Sequence, residues 1–200
     1  MLPHSPRRLF IGLLPARDVQ AAIARHATQW DWPPQARRTR FGRYHLTLQF
    51  LGDVPLAHER RLREALRQVP MPPLALDFAT PMLWKQGVAV LLPDAHEGLF
   101  ALREAIVACL PRAGLHAARL QFTPHVTLAW DAFHATPPMR APAIACTLDA
   151  FVLVWSRLDT RPAEYVILER FAANQAPASE GRRTPQGELF ELQPGRTVGP

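Results

Sequence analysis

The sequence predicts a mixed α and β fold built from two similar halves, and three observations carry that expectation. Apolar residues alternate with polar ones over short runs that read as strands, and recur at helical spacing over the longer runs between them. A His-x-Thr-Leu tetrapeptide occurs twice, at His45–Leu48 and His125–Leu128. The elements around the two copies come in the same order, with offsets of 78 residues from Leu13 to Leu91 and 80 from His45 to His125.

The elements follow in order. Leu9 to Leu14 reads as a strand stopped by Pro15, and Arg17 to Gln29 has helical spacing. Trp30 to Arg40 is a basic, proline-containing loop. Tyr44 to Phe50 alternates as a strand, and Gly52-Asp53-Val54-Pro55 reads as a turn. Leu56 to Val69 is an amphipathic helix with an Arg-rich outer face, ended by Pro70 to Pro73. Leu74 to Thr80 is a strand, and Leu83–Lys85 with Val88–Leu92 reads as a hairpin around Gln86-Gly87. His96 to Leu110 is helical, Val126 to Trp130 is a strand, and Ala150–Ser156 and Tyr165–Phe171 close the pattern. Each half thus reads strand, helix, His-bearing strand, strand. Past Ala172 periodicity gives way to Pro, Gly, Ser, Arg and Gln, so residues 1–172 are expected to form one bilobal domain and 173–200 a mobile or loosely docked tail.

Composition narrows the class. In 200 residues a hydrophobic share of 48% is ample for a core and excludes wholesale disorder. Lys and Arg number 23 against 17 Asp and Glu, for a net charge of +6, which favours polyanionic partners. Cys109 and Cys146 offer neither a disulfide framework nor zinc spacing and read as buried thiols of a reduced compartment. The apolar stretch after Arg7-Arg8 is shorter than the ~7–15 residues of a signal peptide, and no run nears the ~20 of a membrane span. A cytoplasmic, monomeric protein with no membrane contact is expected.

The repeated tetrapeptide is where the chemistry lies. Strict alternation puts Arg43, His45, Thr47 and Gln49 on one face of their strand and Tyr44, Leu46, Leu48 and Phe50 on the other. The second copy sets Thr123, His125, Thr127 and Ala129 against Phe122, Val126, Leu128 and Trp130. With 8 His, 11 Thr and 27 Leu, about 0.06 such tetrapeptides are expected by chance, so two in a duplicated frame point to function. Two strands related by a pseudo-twofold would gather two His and two Thr around one groove.

That set suits displacement at phosphorus. Imidazole can act as base in one copy and acid in the other near neutral pH. Threonine hydroxyls can hold the oxygens on which charge builds. Two His without Asp, Glu or Cys at ligand spacing do not fill a metal shell, and no Gly-x-Ser-x-Gly elbow occurs. No metal and no cofactor are expected.

His45-Leu46-Thr47-Leu48 with the trailing Phe50-Leu51-Gly52, and Pro124-His125-Val126-Thr127-Leu128, resemble the paired HxTx motifs of the 2H phosphoesterase superfamily. The similarity is strongest to the bacterial RNA 2′,3′-cyclic phosphodiesterases, also named 2′-5′ RNA ligases. It extends from about Arg8 to about Phe171. The resemblance implies an α+β fold of two pseudo-symmetric α/β lobes with antiparallel sheets facing across a central groove. It also implies His45 as proton donor, His125 as proton acceptor, and Thr47 and Thr127 on the phosphate. The activity implied is hydrolysis of a 2′,3′-cyclic phosphate end on RNA to a 2′-phosphomonoester, with 2′-5′ ligation as its reverse. Relatives often carry an Arg where this chain has Trp130, and Arg43, which shares the His45 face, is the candidate to replace it at the phosphate, with a solvated strand-end cation as the plain alternative.

Around the motifs, Arg37, Arg38 and Arg40 are candidates for tracking RNA phosphates, with solvated loop charge as the plain alternative. Phe122 could stack on a base, though its apolar face favours packing, and Trp30 and Trp32 read the same way. His4, His26, His58, His96, His116 and His134 lack motif partners and read as surface residues. Two other functions fit the residues: a nucleotide- or RNA-binding module without turnover, and a two-histidine enzyme acting on a 2′-5′ oligonucleotide or a small cyclic nucleotide.

Overall fold

The computed structural model of the chain describes residues 5–117, 121–139, 142–157 and 164–172. The expected tail, 173–200, lies outside the described residues. Nine strands and three α-helices lie within them, with a 3-10 turn at Leu110–Ala113: β1 (Arg7–Leu13), α1 (Arg17–Ala27), β2 (Arg37–Arg38), β3 (Leu46–Val54), α2 (Leu56–Leu66), β4 (Leu74–Trp84), β5 (Val88–Pro93), α3 (Glu97–Cys109), β6 (Val126–Trp130), β7 (Ile144–Leu148), β8 (Ala150–Arg157) and β9 (Glu164–Ala172).

Every strand pairing is antiparallel, and the α+β class expected from the sequence holds. The path runs β7-β4-β5-β6-β3-β1-β8-β9, with β2 alongside β6. Its centre is the single pair Leu46↔Val126, which joins the two His-bearing strands. On either side the order mirrors itself. β3 pairs with the strand that opens its own half, β1, and β6 with its counterpart, β5. Later strands then change sides: β4 follows β3 in the chain but pairs with β5, while of the strands after β6, β7 pairs with β4 and β8 with β1. This exchange binds the two halves into one sheet.

One face of the sheet carries the helices. Ile23 of α1, Leu62 and Leu66 of α2, and Leu99, Leu102 and Ile106 of α3 pack on Leu9, Ile11, Leu13, Leu46, Leu91, Leu128 and Phe151. Burying each such side chain contributes about 1.5–3 kcal/mol, so this layer is the main source of stability. The opposite face of the first half has only a small cluster of Phe10, Val152 and Val154, with Leu14 and Tyr165 packed against it. That thinly covered face is where a groove can form.

Several expectations change. The segment read as a turn at Gly52–Val54 belongs to β3, because the chain bulges there rather than reversing. Leu51 has no partner between Phe50↔Phe10 and Gly52↔Leu9, and Gly52 takes the left-handed φ of +71° that the bulge needs. The separate strands Leu74–Thr80 and Leu83–Lys85 are one strand, β4. Pro81 is tolerated in it because β7 covers only Leu74–Phe78, leaving the missing N–H at an edge. β7 itself was not expected from the sequence. Ile144, Cys146 and Leu148 point inward from it over only five residues, and Ala145 between the first two is a weak strand former.

His26 is no surface residue. It is 4% exposed and accepts the Trp30 indole N–H at 3.2 Å, so its neutral form is the one that fits, and burial lowers its pKa. Trp30 and Trp32 stack on each other at 4.9 Å, in the packing role the sequence favoured. His96 caps α3, its Nδ1 accepting the Leu99 N–H at 3.3 Å. Both cysteines are buried as expected, and burial, with Asp18 adding to it, pushes the Cys146 thiol up to about 11. No helix among the described residues is long and apolar enough to cross a membrane.

Candidate active site

The central pair Leu46↔Val126 fixes the site. Both residues are fully buried on the helix side, so the residues flanking each of them project from the other face. Antiparallel register then carries His45 toward Thr127 and Thr47 toward His125. The four motif side chains meet on one groove, where all of them are lining residues. Gly12 lies opposite Thr47, and a Cβ there would stand 2.9 Å from the Leu46 carbonyl oxygen. Only glycine lets β1 close on β3 at this point.

Both imidazoles are held in the same way. His45 Nδ1 lies 2.8 Å from the Arg43 carbonyl oxygen, and His125 Nδ1 lies 2.7 Å from that of Thr123. A carbonyl oxygen can only accept, so Nδ1 carries the hydrogen in both rings. The neutral rings therefore present an unprotonated Nε2, ready to take a proton, and the charged rings present an Nε2–H, ready to give one.

Aromatic side chains wall the rings in. Phe10 lies 4.8 Å from His45, and Tyr165 meets it edge-on at 5.3 Å. Trp84 packs against His125 at 4.6 Å. Removal from water disfavours the charged imidazolium, and burial is the main reason both pKa values fall. The hydrogen bonds to the Arg43 and Thr123 carbonyls push the other way. His45 is lowered further by the positive charges of Arg43 and His125.

The groove encloses about 840 Å³ and is basic throughout. Arg8, Arg37, Arg38, Arg40 and Arg43 line it, with Thr39, Ser156 and Tyr165, and among the described residues no carboxylate does. Arg37 is paired with Asp131, and Arg8 reaches Asp53 at 4.0 Å. Arg43 lies over the Tyr165 ring at 4.2 Å. Among the described residues no carboxylate is within ion-pairing distance of Arg38, Arg40 or Arg43, so their charge is available to an anion. No group of three His, Cys, Asp or Glu among the described residues gathers as a metal-holding cluster.

The structure thus brings together His45, His125, Thr47, Thr127, Arg43, Arg37, Arg38 and Arg40. It does not bring Phe122, which packs against Phe100 at 5.6 Å and under Arg103 at 5.5 Å, away from the groove. Four face assignments reverse, and Ala129 and Trp130 exchange sides in β6 as Gln49 and Phe50 do in β3. Gln49 turns into the core, where its amide donates to the Phe50 carbonyl oxygen at 2.9 Å, and Phe50 turns out to the groove. In β3 the cause is a bulge at Leu48, which lies unpaired between Thr47↔Gly12 and Gln49↔Ile11. Arg8, Phe10, Thr39, Phe50, Trp130, Ser156 and Tyr165 were missed as site residues. Alternation of Arg8, Phe10 and Gly12 could have placed the first two, but nothing local marks Ser156 and Tyr165, which enter through β8 and β9.

No family model matches the chain. The RNA 2′,3′-cyclic phosphodiesterase of Escherichia coli (strain K12) is 32% identical over 179 residues, covering 85% of this chain and 98% of that protein. The crystal structure of E. coli LigT complexed with 3′-AMP superposes with a TM-score of 0.72 at 25% identity, covering 85% of this chain and 99% of LigT. LigT complexed with phosphate gives a TM-score of 0.69 at 25% identity over 86% of this chain and 99% of LigT.

Proposed function

The chain belongs to the 2H phosphoesterase family, that of the RNA 2′,3′-cyclic phosphodiesterases, and on this premise we propose that it opens 2′,3′-cyclic phosphate ends of RNA with His45 and His125. The observation that carries the proposal is the matched pair of rings, each pinned through Nδ1 and each offering Nε2 to one arginine-lined groove. Water would give its proton to His125 Nε2 while its oxygen bonds to phosphorus. The bond from phosphorus to the ribose 3′ oxygen breaks, and that oxygen takes a proton from His45 Nε2. A 2′-phosphomonoester remains. A 5′-hydroxyl in place of water would give the 2′-5′ bond by the same steps.

The groove supplies what these steps lack. In the empty groove both rings resist charging, so the proton on His45 depends on the negative phosphate beside it. Thr47 and Thr127 hydroxyls would donate to the nonbridging oxygens, and Arg43, above the Tyr165 ring, would offset their charge. Arg37, Arg38 and Arg40 would follow the phosphates of the strand. The LigT complexes with 3′-AMP and phosphate support a ligand of this class. Product analysis on a cyclic-ended dinucleotide tests the reading directly: a 2′-phosphate is expected, and a 3′-phosphate or unchanged substrate contradicts it.

Three results follow. Both imidazoles are displaced below the ordinary 6.5, so the state with one ring charged and one neutral is populated on the acid side of that value. The kcat/KM profile is expected to be a bell with its maximum below pH 6.5. The kcat profile should lie at higher pH, because bound phosphate favours the imidazolium. A kcat/KM maximum above pH 7.5 is the contrary outcome.

Each arginine that contacts a phosphate releases counterion, and on single strands each adds roughly 0.7 to the slope of log affinity against log salt. Replacing Arg37, Arg38, Arg40 and Arg43 together with Ala should flatten that slope by about one to three. An unchanged slope removes this loop from the RNA path. Turnover is also expected to persist in excess chelator, because the proton transfers need only the two rings. Loss in chelator with recovery on one added divalent ion would contradict it.

A further inference from the structure

The two halves share an irregularity that alternation along the strands does not require. In β3, Leu48 is an extra residue between Thr47↔Gly12 and Gln49↔Ile11. In β6, Leu128 is an extra residue between Thr127↔Val90 and Ala129↔Ala89. Leu48 and Leu128 hold the same place in their motifs. An inserted residue shifts the side-chain alternation by one, so the residue two positions on changes face. Those residues are Phe50 and Trp130. Both are aromatic, they are 48% and 49% exposed, and both line the groove. In regular strands each would point into the helix-packed core, so each bulge exposes a large ring at some expense in burial.

Resting on the reaction proposed above, we propose that Phe50 and Trp130 are paired base-stacking platforms, and that Trp130 takes the base of the nucleoside joined through its 5′ oxygen. The sides follow from the strands. When a 5′-hydroxyl attacks the cyclic phosphate, its proton passes to His125 and a P–O5′ bond forms. The P–O3′ bond breaks, and the 3′ oxygen takes its proton from His45. The 5′-linked nucleoside therefore enters beside β6, where Trp130 stands. The nucleoside that held the cyclic phosphate lies beside β3, where Phe50 stands. Arg8 already covers one face of Phe50 at 4.9 Å, a pairing that extends a stack. Among the described residues no ring or cation lies over Trp130. Two π faces set among arginines, with no carboxylate lining the groove among the described residues, match the bases and phosphate of a nucleotide chain rather than an apolar partner.

Equilibrium binding tests this without turnover. The probe is a 2′-5′-linked diadenosine monophosphate whose first ribose lacks its 3′-hydroxyl, which removes the internal nucleophile. It is compared with the same molecule lacking the second base. The wild-type protein should bind the base-bearing probe roughly 5- to 100-fold more tightly, the usual range for one stacked base. Trp130→Ala should bring that ratio to about one, and Trp130→Phe should restore most of it. Phe50→Ala should weaken both probes and keep the ratio. A wild-type ratio near one, or a ratio unchanged in Trp130→Ala, overturns the proposal. Turnover of cyclic-ended RNA is followed alongside: its absence in the wild type would refute the catalytic reading, while the binding ratio would still decide this one.

Discussion

Replacing His45 or His125 with Ala is expected to lower kcat on the order of 10²–10⁴-fold, the span of general acid–base groups. Each ring is held by one backbone carbonyl and walled by aromatic side chains, so truncation should leave the strand register intact. The double variant should lose far less than the product of the single losses, because an acid without its base completes no transfer. Thr47→Ala and Thr127→Ala should each lose about tenfold, the value of one hydrogen bond to a charged oxygen. Their hydroxyls orient the phosphate but move no proton. His134→Ala, at an exposed position, is the control and should keep its rate. Near-native turnover in a folded His45→Ala or His125→Ala protein would end the two-histidine mechanism.

The catalytic quartet was legible because the apolar partners of His45, Thr47, His125 and Thr127 are themselves regular. Leu46 and Val126 mark the buried face unambiguously, and duplication supplied the second strand. The reading failed where regularity stops. The bulges at Leu48 and Leu128 leave no mark in composition, since Leu at either position satisfies a strand with or without an insertion. Phe50 and Trp130 were therefore assigned inward, and Gln49 and Ala129 outward. Tyr165 and Ser156 were invisible for another reason. They reach the groove through β8 and β9, more than a hundred residues after His45, and only the exchange of outer strands between halves brings them there.

The exchange also explains why the duplication showed most clearly at the centre. β1 with β3 and β5 with β6 are equivalent pairs, so their sequences repeat the same punctuation. The outer strands differ in partner and burial. β7 is a short edge strand on β4, whereas β9 runs the length of β8. Strands meeting different neighbours are under no common pattern, and β7 went unread.

Glu59→Ala is expected to have the largest effect on stability outside the core, about 3 kcal/mol. Its carboxylate is 5% exposed and holds two guanidinium groups, Arg7 of β1 at 3.1 and 3.2 Å and Arg63 of α2 at 2.6 Å. Arg63 also donates to the Leu168 carbonyl oxygen of β9 at 3.1 Å, so it is not part of a solvated outer face as its helix pattern suggested. Removing the carboxylate takes from Arg7 its ion-pair partner and leaves Arg63 with Glu169 at 3.6 Å. Both arginines keep a quarter to a third of their surface in water, which holds the loss near the lower end for a broken buried pair. The network ties α2 to β1, the strand next to His45, yet touches nothing in the groove. Glu59→Ala should therefore lower the denaturation midpoint in urea while kcat at a temperature well below unfolding stays near wild type. Glu59→Gln, which keeps an acceptor, should lose less. A midpoint unchanged in Glu59→Ala would mean that the two arginines find equivalent partners or water without it, and that the cluster contributes nothing to holding α2 on the sheet.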